Sequence, residues 1–153
     1  MAGTGKSLRR WGWTHKWSSI ICTVFTQTTD LLSASRSLLQ QCLVALYGHY
    51  RSESSGVWPC LFDLREYLHR YKVHPLSREA GYRSAILNRL DSILMTSGDI
   101  YRCSTGHSLV DLLSRSIVWE ADGLSPEHEA FYVLSILFWI FHYRLVNRPQ
   151  ESG

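Results

Sequence analysis

Between Phe131 and Phe141 the chain is apolar in every direction apart from Ser135. This stretch constrains the rest, because a helix with no polar face either fills the middle of a bundle or meets a membrane. Helix-start chemistry precedes it: Ser125 is a good N-cap, Pro126 suits the first helical position, and Glu127 and Glu129 stand where the helix dipole favours carboxylates. Arg144 and Arg148 suit the opposite pole, and Pro149 ends the segment. Length separates the two environments. Phe131 to Phe141 spans about 16 Å and extension to Val146 about 24 Å, at 1.5 Å per residue, against a hydrocarbon core of ~30 Å. His142 and Arg144 would each cost about 2–3 kcal/mol if carried deep into lipid. The expectation is a buried helix at or near the centre of the bundle, with a short C-terminal tail anchor as its alternative.

Five further apolar patterns need something to bury against. Trp13, Trp17, Ile20, Ile21, Val24 and Phe25, continued by Thr28, fall at helical spacing. A strand over Ile20–Thr26 competes, because Ile, Thr and Val are dense there. Asp30 is a good N-cap for a second helix that buries Leu31, Leu32, Ser35, Leu38, Leu39, Cys42, Leu43 and Leu46 and stops near Gly48. Arg51–Gly56 is a polar loop. Pro59 starts a third helix with Leu61, Leu64, Leu68 and Tyr71 on one face, ending before Pro75. Ser77 caps a fourth, with Tyr82, Ile86, Leu90, Ile93 and Leu94 inward and a stop near Gly98. Ser104 or Thr105 caps a fifth, with Leu109, Leu112, Leu113, Ile117 and Val118 inward, as far as Asp122-Gly123. Short connections favour neighbouring helices that pack side by side. The chain is read as all-α, one compact bundle of five or six helices over residues 13–148. A basic, disordered N-terminal arm (1–12) precedes it and a short polar tail (149–153) follows. No internal repeat and no heptad run stands out.

At 153 residues, one core can form without disulfides or metal. The net charge of +3 is unevenly spread, since Lys6, Arg9, Arg10 and Lys16 all precede Asp30, the first acidic residue. The basic character therefore belongs to the N-terminal segment. Cys22, Cys42, Cys60 and Cys103 never form a CxxC pair, and no N-x-S/T sequon occurs, which points to a reducing, intracellular, cytoplasmic setting. The apolar run Ser19–Phe25 follows basic residues as a secretory signal does, but it is short and no small-x-small site follows it.

Motifs that carry chemistry are missing. Gly3-Thr4-Gly5-Lys6-Ser7 imitates the end of a phosphate-binding loop without the earlier glycine and strand that the loop requires. His69 and His74 do not share a helix face, and Cys103-x-x-x-His107 has no partner pair to complete a zinc framework. No G-x-S-x-G elbow and no G-x-G-x-x-G turn is present. The reading is not an enzyme, with no cofactor and no metal. It is instead a non-enzymatic helical interaction or regulatory protein that acts on another protein through an apolar or aromatic surface or groove. Trp58, Tyr67, Tyr71 and Trp119 are candidate anchors, because aromatic residues and Arg dominate interface energetics. A second copy of the chain is a further candidate partner. The alternative is attachment to a membrane or other anionic surface. That attachment would use Lys6, Arg9, Arg10, Trp11, Trp13, Lys16 and Trp17, the C-terminal helix, or both. Nucleic-acid binding through the same arm is a third, weaker reading, with four cations for phosphates and Trp rings for stacking.

Overall fold

The computed structural model describes residues 4–52, 58–104 and 106–146. Among the described residues six helices follow one another: α1 (Thr4–Thr28), α2 (Ser33–Ser52), α3 (Leu61–Arg70), α4 (Arg78–Tyr101), α5 (Leu109–Leu113) and α6 (Pro126–Val146). The described residues contain no strand, and Ile20–Thr26, where a strand competed, lies inside α1. Its β-branched residues are accommodated because Thr23, Thr26 and Thr28 return their hydroxyls to the carbonyls of Ser19, Cys22 and Val24 in the preceding turn.

α1 and α2 form a hairpin around small side chains. Ser18, Cys22, Ser35 and Cys42 are all fully buried, so the two backbones approach closely. The Cys22 thiol donates to the Arg36 carbonyl at 3.5 Å, and the Arg36 guanidinium donates to the Thr23 hydroxyl at 3.0 Å. Asp30 does not cap α2. It takes φ +50° in the turn, a left-handed conformation that Asp tolerates better than most side chains, and the helix starts later, at Ser33. Leu31 is buried while Leu32 points outward.

The central helix is α2. It packs on α1, α3 and α4, and Leu38, Leu39, Cys42, Leu43 and Leu46 occupy the core. α3 supplies Leu64 and Leu68, and α4 supplies Ile86, Leu90, Ile93 and Leu94. Each such side chain contributes roughly 1.5–3 kcal/mol on burial. Helix starts follow local chemistry. The Cys60 N–H donates to the Asp63 carboxylate at 2.7 Å, so α3 begins at Leu61, two residues beyond the expected Pro59. The Ser77 hydroxyl accepts from the Ala80 N–H at 3.2 Å and caps α4 as its position predicts. α4 runs past Gly98 through a kink at Ser97, where φ is −132° and ψ 22°. Gly98 lets the Phe62 ring of α3 come close, since a Cβ there would stand 3.2 Å from Phe62 Cζ.

Three expectations need correction. The segment expected as a disordered arm is helical from Thr4, continuous with α1. The fifth helix is only Leu109–Leu113. Ser114 ends it by turning its hydroxyl to the Asp111 carbonyl at 2.8 Å, and Val118, expected inward, is almost fully exposed. The C-terminal helix is not central: α6 lies along α1 on one side of the bundle. Only His128 and Phe131 of its described side chains are buried. α2 already fills the centre with a narrower, better-shaped apolar stripe, which leaves α6 a flank to cover.

Candidate interaction surface

The inner face of α6 is set by Phe131. Its ring meets Phe25 of α1 edge-on at 6.1 Å and Tyr101 at the end of α4 at 5.7 Å. Such pairs add about 0.5–1.5 kcal/mol each beyond area burial. Leu134 and Phe138 continue this face onto the core. His142 closes it, 6.4 Å from the Trp17 ring of α1 and stacked on Phe138.

Three polar side chains of α6 share that inner face. His128, Ser135 and His142 recur every seventh residue and so stand in one line along the helix. His128 is buried, Ser135 returns its hydroxyl to the Phe131 carbonyl at 2.6 Å, and Nδ1 of both histidines is enclosed without a hydrogen-bond partner. Burial, reinforced by the neighbouring Lys16, holds the His142 imidazole below its usual pKa and so favours its neutral form.

The outer face is the reverse. Val133, Leu137, Phe141 and Leu145 are 38%, 55%, 58% and 47% exposed. With half-exposed Ile140 between them, they make an apolar strip along solvent, bounded by exposed Glu129 near the start and exposed Arg144 near the end. An amphipathic helix normally turns such residues inward and its polar ones outward. Here apolar residues line both the inner and the outer face.

The aromatic residues singled out as anchors do not form one site. Tyr67 of α3 and Tyr71 just past its end have rings 6.3 Å apart, half-buried against the core, and the Tyr71 hydroxyl donates to Glu79 at 3.2 Å. Trp58 is exposed but leans on Tyr47 of α2 at 6.2 Å. Trp119 is exposed in the irregular segment between α5 and α6. On α1, Trp17 packs against the core and α6 while Lys16 is exposed beside it; the side chains of Lys6, Arg9, Arg10, Trp11 and Trp13 lie outside the described residues. The strip on α6 was not legible as a site, since residues on both faces of the helix are apolar. The seven-residue line of His128, Ser135 and His142 was the available signal.

A second feature is a cavity of about 190 Å³ between α1, α2, α3 and the end of α4, lined by Ile21, Leu43, Leu46, Leu64, Tyr101 and Cys103 among others. Three of its polar groups are weak reagents at neutral pH. Burial pushes the Tyr47 and Tyr101 hydroxyls up to about 12 and raises the Cys60 thiol. No group of three or more His, Cys, Asp or Glu among the described residues is placed to hold a metal ion. No described helix is long and apolar enough to cross a membrane. No protein-family model, curated protein or solved structure matches the chain.

Proposed function

We propose that this chain is a non-enzymatic interaction protein of the adaptor or regulator kind, and that the outer strip of α6 is the surface it uses. One observation carries the reading: α6 packs Phe131, Leu134 and Phe138 inward and still presents Val133, Leu137, Phe141 and Leu145 to solvent. A contiguous apolar strip of this type marks an interaction site more often than a neutral surface. Phe141 at its centre is the kind of aromatic anchor that concentrates binding energy. The matching partner face is apolar and elongated, a helix or a groove that takes one.

The test is a photo-activated cross-linking residue placed at position 137 in cells, with a control at Asn88 on the exposed side of α4. Protein adducts from position 137 and none from position 88 are the expected result. Absence of adducts at position 137 contradicts the reading. A membrane-facing role is the second reading, favoured by exposed Lys16 beside the α1–α6 seam. It predicts lipid adducts at position 137 instead.

A further inference from the structure

The outer face of α6 resolves into a narrower pattern than its exposure alone shows. Ala130, Val133, Leu137, Ile140 and Arg144 follow one another in steps of three, four, three and four residues. This is the spacing that keeps side chains on a single seam and lets two helices lie nearly parallel to each other's axes. The seam is about 21 Å long at 1.5 Å per residue. It is acidic beside its start, at Glu129, and basic at its end, at Arg144, with apolar residues between.

We infer that the occupant of this face is a second copy of the chain, with the two α6 helices packed antiparallel about a two-fold axis at Leu137. The inference rests on the reading of this face as an interaction surface and names its partner. A two-fold contact requires a patch that complements itself. In the antiparallel arrangement Leu137 meets the partner's Leu137, and Val133 faces the partner's Ile140 and Phe141. Glu129 lies beside the partner's Arg144 at each end, so both ends join opposite charges. Parallel pairing sets Glu129 on Glu129 and Arg144 on Arg144 and is disfavoured at both ends. The pairing also gives the exposed apolar residues of α6 a cover: two apolar faces of equal length lie against one another. Its area is small beside the ~1,600 Å² of a standard stable interface, so the dimer is reversible and concentration-dependent.

Sedimentation of the purified full-length protein over a wide concentration range tests this. The expected result is a monomer–dimer equilibrium that Leu137→Glu abolishes with an unchanged helical circular-dichroism spectrum, since Leu137 is exposed in the monomer. Glu129→Arg and Arg144→Glu each weaken the dimer by about tenfold, because the two-fold axis turns each into two repelling pairs. The double exchange restores it, which a merely structural role for either residue would not do. A monomer at every concentration, or a dimer indifferent to Leu137→Glu, overturns the inference. So does a monomer that floats with vesicles of anionic phospholipid, which gives the face to a membrane. A monomer whose position-137 cross-links still reach other proteins in cells removes the second copy and leaves the interaction reading intact.

Discussion

His142 is the residue at which acid should act on the α1–α6 seam. Its imidazole is enclosed between Trp17, Phe138 and Phe141, with Lys16 the cation nearby, and its pKa lies below the usual 6.5. The unfolded chain therefore takes up this proton more readily than the folded one. The stability tied to neutral His142 is complete above about pH 6.5 and is lost as pH falls through the lowered folded value. Melting curves between about pH 7.5 and pH 5.5 should show a smaller acid loss for His142→Phe than for the wild type. Equal losses would contradict this assignment.

Thiols and glycines give two more tests at the same scale. Cys22 and Cys42 are fully buried, and burial pushes the Cys42 thiol up to about 11. Native-state alkylation should modify exposed Cys103 first and leave Cys22 and Cys42 untouched until the chain unfolds. Gly81 and Gly98 both lie in α4 but differ in surroundings. An added Cβ meets nothing at Gly81 and meets Phe62 at 3.2 Å at Gly98. Gly81→Ala should stabilise by about 0.5–1 kcal/mol in chemical denaturation. Gly98→Ala should lack that gain, because Phe62 is held under the Arg102 guanidinium 4.5 Å away.

Among the elements, those with one polar side were readable. The stripes of α2 and α4 bury nearly every residue that periodicity assigned to them, because polar residues on the opposite face fix their rotation. Ser77 caps α4 as expected, and Ser77→Ala should cost about 1 kcal/mol by equilibrium unfolding. Elements whose ends depend on competing polar residues were read too long or started too early. Ser114 stops α5 after five residues, and Asp30 spends itself on the turn rather than on a cap. α6 was legible as a helix but not as a position. Its inner and outer faces are both apolar, so nothing in the hydrophobic pattern says which side packs. The candidate surface was therefore hidden by the same property that made the helix conspicuous.

For the whole molecule, the consequence is an arrangement around α2 with α6 as an outer layer on α1. The bundle would lose little of its own core if α6 met a partner, because Phe131, Leu134 and Phe138 already hold one face while the other is unused. The division of α6 into a packed face and a free apolar face is the central claim, and chemical denaturation of two single variants in dilute solution tests it most directly. Phe131→Ala should cost about 3–5 kcal/mol, as for other large-to-small changes in a core. Leu137→Ala, six residues along the same helix, should stay within about 0.5 kcal/mol of the wild type, as for an exposed position. Equal and large losses at both positions would place α6 in the centre of the bundle and contradict the account.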